Sequence, residues 1–305
     1  MKNLKIGMVG LGGIAQKAYL PILSQAKNFE FVGAFTPNEE KRNRICKEYR
    51  IKPFCSIQNL AEECDVAFVH TSTETHYKIV KELLNLGLHV YVDKPLASTV
   101  KEGTELVELS KSKNLKLMVG FNRRFAPMYN KIKIESQNIT SVNICKHASN
   151  SIRNTNFSET LLDDYIHIVD TAVWLADGDV NINSDEILVN ENNNLVFANH
   201  KFKGNSFSIS TSMSRCACTK LEQVEIISLG KIQRVKNLNI LEVESCDNLI
   251  ITKSGAWDNI LKQKGFEGAI NRFIDCIENN LPPITSGYES LKAQKLIENI
   301  INIHN

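Results

Sequence analysis

No stretch of this chain stays apolar long enough to approach a membrane span, so a membrane-crossing protein is excluded as a reading. Charge of one sign is not in excess either. Lys and Arg number 36 against 34 Asp and Glu, a net charge of +2. That balance leaves no electrostatic case for nucleic acid or an acidic surface as partner. The eight cysteines (46, 55, 64, 145, 216, 218, 246 and 276) are scattered, and only Cys216 and Cys218 stand close together. They lack metal-knuckle spacing and a second pair, so no metal site is read. Reduced thiols and a cytoplasmic setting are expected. Repeats and low-complexity linkers are absent as well. Met1-Lys2-Asn3 runs straight toward a strand and is expected to leave no room for a signal peptide. What remains is 305 residues with 43% apolar content, enough for two domains and a sizeable core.

Up to about residue 120, strand and helix signals alternate. Strand candidates are Leu4–Val9, Phe29–Phe35, Val66–His70, His89–Val92 and Lys116–Val119. Helical runs lie between them at Gly13–Ala26, Glu39–Tyr49, Thr75–Leu86 and Val100–Lys113. The alternation predicts an α/β domain over residues 1–121 with a parallel, doubly wound sheet. Gly120 to Pro127 reads as a hinge. Residues 122–305 then predict an α+β domain: a strand at Ser141–Ala148, a helix at Glu159–Ala176, and strand-like stretches from Ile187 to Ile251. Turns at Asn192–Asn194 and Lys203–Asn205 separate those stretches. The pattern suggests a largely antiparallel open sheet with one covered face. Two helical segments, Asn259–Glu278 and Glu289–Ile303, close the chain, and the last helices are free to pack back on the first domain.

Val9 to Ala15 reads VGLGGIA, between a strand run and a helical run. Gly10, Gly12 and Ala15 fall in the G-x-G-x-x-G/A spacing: a tight turn, a close backbone approach to a pyrophosphate, and close helix–strand packing. A helix opening at about Gly13 would aim the N–H groups of Gly13, Ile14 and Ala15, with the helix dipole, at a diphosphate. An isolated glycine turn would need neither flank. The context points to a dinucleotide.

Lys94 stands just past the fourth strand candidate, and in open α/β sheets the ligand crevice lies beyond the strand C-termini. Pro95 biases Lys94 toward extended backbone, and Asp93 is placed to hold its ammonium group. Further on, Leu161 to Leu175 reads LLDDYIHIVDTAVWL. At about 100° per residue, Leu162, Ile166, Val169, Val173 and Ala176 form an apolar stripe, with Asp163, His167 and Asp170 together on a neighbouring face. A solvated Asp–His⁺ pair would look the same on an exposed helix. This helix is apolar over most of its circumference, with Tyr165 and Trp174 adding bulk, so a histidine flanked by two acids there calls for a role. A nucleotide loop, then a lysine, then an Asp/His pair is the outline of a nicotinamide-dependent dehydrogenase.

These residues resemble the Gfo/Idh/MocA family from Lys5 to the last helix. The likeness rests on the G-x-G-x-x-A, on Thr71-Ser-Thr-Glu-Thr-His76, on Ala61 to Ala97 with Gly87, His89, Val90 and Lys94-Pro95, on Gly120-Phe-Asn-Arg-Arg-Phe125, and on Asp163/His167/Asp170. The wording is most similar to a bacterial branch, MviM-like, known as virulence factors or oxidoreductases, for which the resemblance supplies no substrate. It implies a Rossmann domain, with Lys94, Asp163 and His167 in the family's catalytic positions. It also places Thr71, His76, Lys94 and Asn122 at the cofactor, beside Gly10 to Ala15. A homodimer or homotetramer joined through the C-terminal sheet is the implied assembly. Two positions depart from the pattern: Asp93 where Glu is usual, and Tyr165 where many members have Gly, which is expected to narrow the space beside His167.

Cofactor choice turns on the end of the second strand. No Asp or Glu stands between Phe31 and Asn38 to bond a ribose 2′-OH and repel a 2′-phosphate. Thr36 and Asn38 are able to donate to a phosphate, with Lys41 or Arg42 supplying charge, which favours NADP(H) over NAD(H). The expected chemistry is hydride transfer between nicotinamide and a secondary alcohol or ketone of a sugar, polyol or sugar acid. His167 would be the base, Asp163 would orient it, and Lys94 would stabilise the reacting oxygen. Lys94, Tyr165, Arg123 and Arg153 are expected at the carbohydrate-like substrate, the arginines suiting a carboxylate or phosphate. Arg124 is expected to meet the protein's own acids. A cofactor-binding sensor on the same fold is the rival reading, and keeping Lys94, Asp163 and His167 together favours the enzyme.

Overall fold

A computed structural model describes residues 3–25, 27–204 and 206–304. Met1, Lys2, Ala26 and Asn205 lie outside the described residues, so the opening tripeptide, the expected end of the first helix and the Lys203–Asn205 turn are covered only in part. The chain divides into two compact units: Met1–Gly120 with Ala269–Leu291, and Phe121–Gly268 with Lys292–Asn305.

The first unit holds β1 (Leu4–Val9), β2 (Phe29–Phe35), β3 (Lys52–Pro53), β4 (Val66–Val69), β5 (His89–Val92) and β6 (Leu117–Val119). Every pairing is parallel and the order is β3-β2-β1-β4-β5-β6. The order reverses between β1 and β4, which in such sheets opens a crevice at the strand C-termini. β4 is buried along its whole length, as a parallel strand covered on both faces should be. The connections are α1 (Leu20–Leu23), α2 (Glu39–Tyr49), α3 (Ile57–Glu63), α4 (Thr73–Asn85) and α5 (Val100–Ser112). Short β3 and α3 were not expected. Asn38 caps α2 through the Lys41 N–H at 2.8 Å, and Thr99 with Glu102 forms a capping box on α5.

The first helical run differs from expectation. A π-turn at Ala15–Tyr19 precedes α1, and the Leu20 N–H reaches back five residues to Ala15. Pro21 offers no N–H to the carbonyl four residues earlier and its ring needs room, which a widened turn supplies. The second stretch of this unit adds Phe273, whose ring meets Phe68 and Tyr91 edge-on at 5.9 and 5.6 Å.

The second unit opens with a short 3₁₀ turn at Asn122–Phe125 and α6 (Pro127–Glu135). Its sheet comprises β7 (Ile139–His147), β8 (Asn181–Val189), β9 (Leu195–Lys203), β10 (Ser208–Ser214), β11 (Leu221–Ser228), β12 (Lys231–Lys236), β13 (Ile240–Ser245) and β14 (Asn248–Lys253). The order is β14-β13-β12-β11-β7-β10-β9-β8, antiparallel except where β10 meets β7. Between β7 and β8 run α7 (Phe157–Thr160), a second π-turn (Leu161–Tyr165) and α8 (Ile166–Ala176). α8 packs across β7 and β10, burying Ile166, Val169 and Val173 against a face that includes Val142, Ile144 and Ile209. The chain closes with α9 (Ile260–Gln263), α10 (Phe266–Glu278) and α11 (Gly287–His304). The expected Asn259–Glu278 helix is broken at Gly265, where φ is +81° and a Cβ would lie 2.1 Å from the Asn122 carbonyl oxygen.

Candidate active site

At the C-terminal end of β1 the backbone turns at Gly10 with φ +94°, and a Cβ there would lie 2.6 Å from the His70 carbonyl oxygen. Only glycine fits. A Cβ on Gly12 would make ordinary contact at 3.7 Å, and one on Gly13 would meet nothing within 4 Å. The loop is therefore open on the side a diphosphate would approach, with the N–H groups of the first helical turn following it. Ile14 is 38% exposed beside this opening and Ala15 is buried beneath it. These residues fit a dinucleotide.

Lys94 follows β5, half-buried, with its backbone N–H donating to Asp93 Oδ1 at 2.8 Å. The Lys94–Pro95 peptide is cis. His76 is buried, its Nδ1 2.8 Å from the Pro95 carbonyl and its Nε2 3.2 Å from the Thr71 carbonyl. The ring thus ties the loop after β4 to the lysine turn. Both ring nitrogens of His76, one of the residues expected at the cofactor, thus face backbone carbonyls. Burial holds its imidazole below the usual range, against the pull of the Pro95 and Thr71 carbonyls and Asp93. Thr71 itself accepts a hydrogen bond at Oγ1 from Thr75 at 2.8 Å.

At the end of β2, the Thr36 carbonyl accepts from Arg42 Nη1 at 3.0 Å, and Asn38 is engaged as the α2 cap. Arg42 is buried, and its Nε has no hydrogen-bond partner among the described residues.

In the second unit the π-turn carries three consecutive polar side chains, each held by a different part of the fold. Asp163 pairs with Arg153, and both stay partly open, at 45% and 38% side-chain exposure. Asp164 pairs with Lys146 on β7 and with Arg215. Burial disfavours its charge, but Lys146, Arg215 and Arg153 outweigh that and hold its carboxyl down at about 2. Tyr165 is fully buried, its hydroxyl 2.6 Å from His200 Nδ1 and 2.7 Å from Thr211 Oγ1. Its hydroxyl is thus directed to β9 and β10 of the sheet. His167 is buried at the start of α8, where its carbonyl accepts from Thr171 Oγ1 at 2.8 Å.

Asp170 does not open onto the half-exposed side that carries Asp163. It is buried in a bidentate pair with Arg124, at 3.0 and 2.7 Å. The extra residue of the π-turn breaks the regular 100° progression between Asp163 and the residues after it, whereas His167 and Asp170, three apart in α8, keep theirs. Arg123 is likewise bidentate on Glu222, at 2.9 and 3.0 Å, and donates to Asn122 Oδ1 at 3.1 Å. Its fork is already filled by a carboxylate, which removes the reading that it awaits an acidic substrate. Asn122 is buried and donates to the Lys264 carbonyl at 2.6 Å. Sequence reading missed Lys146, His200, Thr211, Arg215 and Glu222, which lie on strands or turns far along the chain and carry no local signal. No group of His, Cys, Asp and Glu able to hold a metal ion occurs among the described residues.

Residues 4–121 match a family described as an oxidoreductase family with an NAD-binding Rossmann fold, and residues 127–246 match one described as YceM-like, C-terminal domain. YceM of Salmonella typhimurium is 42% identical over 298 residues, 98% of this chain and 97% of that one. The chain belongs to the Gfo/Idh/MocA oxidoreductase family. A crystal structure of the dehydrogenase MviM from Clostridium difficile is 64% identical, with a TM-score of 0.97 over 99% of this chain and 100% of that one. Glucose-6-phosphate 3-dehydrogenase of Bacillus subtilis is 26% identical over 204 residues, 62% of this chain and 58% of its own length. This member is thus an oxidoreductase with an NAD(P)-binding Rossmann unit, of a family that contains sugar and polyol dehydrogenases. No described helix is long and apolar enough to cross a membrane.

Proposed function

We propose that this protein moves hydride between a nicotinamide cofactor and a secondary alcohol or ketone of a sugar, polyol or sugar-acid derivative. The observation that carries the reading is Asp163 within a π-turn and His167 just after it, in a chain whose first unit sets Lys94 at the same sheet end as an open glycine loop. The loop around Gly10 to Ala15 and Thr71 would hold the dinucleotide, and the bound nicotinamide supplies the hydride acceptor or donor. His167 takes the hydroxyl proton as general base, because a neutral imidazole accepts a proton near neutral pH. Asp163 orients the imidazole and stabilises its cationic form. Lys94 donates to the reacting oxygen and stabilises developing negative charge.

NADP(H) is the favoured cofactor in this reading, because no carboxylate stands at Thr36 and Arg42 lies behind it. A homodimer or homotetramer joined through the second unit's sheet belongs to the same proposal. Its support is β14, exposed along its whole length, with Leu249, Ile250 and Ile251 each more than half exposed. Light scattering after size exclusion tests the assembly.

The functional test is a turnover screen with NADP⁺ and NAD⁺ over neutral polyols such as myo-inositol, sugar phosphates such as glucose 6-phosphate, and sugar acids. Reduction of either cofactor by one class, lost in His167→Ala, is the expected outcome. Cofactor binding without turnover of any class would favour a sensor and overturn the proposal.

A further inference from the structure

We propose that Tyr165, His200 and Thr211 form a hydrogen-bonded ring that sets the register of the π-turn and thereby orients Asp163 and His167. All three are positioning residues. The inference rests on the acid–base reading of Asp163 and His167 given above.

Tyr165 closes the π-turn, two residues after Asp163 and two before His167. The Ile166 N–H reaches the Leu161 carbonyl, five residues back. An α-turn through the same residues would rotate Asp163 and His167 relative to each other by about 100°. Something must favour the wider turn: Asp163 is held by a half-open ion pair, and Asp164 by a buried one with Lys146 and Arg215. Tyr165 has its anchor in the core. Its ring alone would pack as well as a phenylalanine. A fully buried hydroxyl is unfavourable unless its hydrogen bonds are made, so the oxygen needs an explanation beyond packing.

The ring closes with every proton accounted for. His200 and Thr211 stand opposite each other on β9 and β10. His200 Nε2 is buried with no hydrogen-bond partner among the described residues. A buried N–H without a partner costs more than a buried lone pair, so the proton belongs on Nδ1. Nδ1–H then donates to the Tyr165 hydroxyl at 2.6 Å, the hydroxyl donates to Thr211 Oγ1 at 2.7 Å, and Thr211 Oγ1 donates to the His200 carbonyl at 3.4 Å. No donor is left over. Burial pushes His200 down to about 4, against Asp185 and with His304, so the imidazole is neutral at neutral pH and this donor pattern persists. Such directional bonds discriminate between two registers of a helix, which apolar packing does weakly.

The test uses the intact protein with saturating NADP⁺ and the variants Tyr165→Phe, Thr211→Val and Thr211→Ser. The readouts are the ring ¹⁵N resonances of His167, assigned with His167→Asn, the NADP⁺ affinity by calorimetry, and turnover of whichever sugar the screen yields. Tyr165→Phe and Thr211→Val should move the His167 ring resonances, keep NADP⁺ affinity within about 2-fold, and lower kcat by about 10-fold at nearly constant KM. Thr211→Ser, which keeps the hydroxyl, should restore wild-type behaviour. Folded Tyr165→Phe and Thr211→Val with wild-type His167 resonances would overturn the ring's role, and if Tyr165→Phe does not fold, Thr211→Val decides. If His167→Ala turns over normally while Tyr165→Phe still moves the His167 resonances, the acid–base reading fails and the positioning ring stands.

Discussion

The π-turns at Ala15–Tyr19 and Leu161–Tyr165 are the same backbone device held by different physics. In the first, Ala15, Ala18 and Tyr19 are buried, and Tyr19 stacks on His70 at 3.7 Å between ring centroids. Small residues and aromatic faces fill most of the space, with the buried Tyr19 hydroxyl 3.3 Å from that of Tyr91, Gln16 on the Leu11 carbonyl and Lys17 outside. In the second, Asp163, Asp164 and Tyr165 are all tied by charge or hydrogen bonds, Arg153 reaching both aspartates. Packing tolerates small shifts, because dispersion contacts are many and individually weak. Charged and hydrogen-bonded anchors tolerate few, because each fails outright when one atom is removed. A glycine loop needs only to stay open to a phosphate. An acid–base pair, as proposed for Asp163 and His167, needs a defined direction, which such anchors supply.

The sharpest way to break this division is to separate binding from chemistry. Gly12→Asp should abolish cofactor binding in calorimetry yet leave the fold, since a Cβ there makes only a 3.7 Å contact. Lys94→Ala, His167→Ala and Asp163→Asn should do the reverse, keeping cofactor affinity within a few-fold while lowering turnover by about 10² to 10⁴. Double variants should lose little more than the worse single one, since the groups act on one proton. Additive losses, or intact turnover in His167→Ala, would sink the assignment.

Next in size is the buried pair beneath the second turn. Arg124→Ala leaves the Asp170 charge buried without its arginine and should cost about 3 to 5 kcal/mol in urea unfolding. Replacing both partners together, as Arg124→Met with Asp170→Leu, should cost markedly less. Equal losses in both variants would mean that the pair contributes by shape alone.

Acid should act on both units through buried imidazoles. His200 titrates at about 4 in the fold and near 6.5 when free, so between these values the unfolded chain binds the extra proton. Its contribution is complete above about pH 6.5 and falls as pH drops to about 4, by about 3 kcal/mol in all. His70, held well below the usual range by burial and by His76, acts in the same direction in the first unit. His200→Gln should flatten the decline in denaturant midpoint between pH 6.5 and 4 for the second unit only. A decline unchanged in His200→Gln would place the titrating group elsewhere.

The smallest effect concerns cofactor choice. Thr36→Asp should weaken NADP⁺ relative to NAD⁺ by about 10-fold, since a carboxylate repels a 2′-phosphate and bonds a free 2′-OH. Equal weakening of both cofactors would remove Thr36 from the ribose site.

Much of the first unit was legible. The strands at Leu4–Val9, Phe29–Phe35 and His89–Val92 fall where hydrophobic runs and turn residues placed them. The doubly wound sheet and the largely antiparallel second sheet were both readable from the change in element pattern. The π-turns were not, because a helical wheel assumes one fixed angle per residue. The assumption put Asp170 on one open face with Asp163. Arg123, Arg153 and Asn122 were read as free to meet ligands because a sequence displays donors without their partners.

What the sequence determined by itself is therefore what short stretches encode: periods of two and 3.6, glycine at a forced positive φ, a lysine after a strand, an acid and a histidine on one helix. Tertiary structure alone decided which polar groups are already engaged. Tyr165 finds His200 35 residues away, Asp170 finds Arg124 46 residues away, and Arg123 finds Glu222 across 99. Such pairings arise when the chain brings distant elements to one face, where a buried polar group must be satisfied by whatever lies opposite. No local period carries that information, and it separates the residues left for chemistry from those that hold the scaffold.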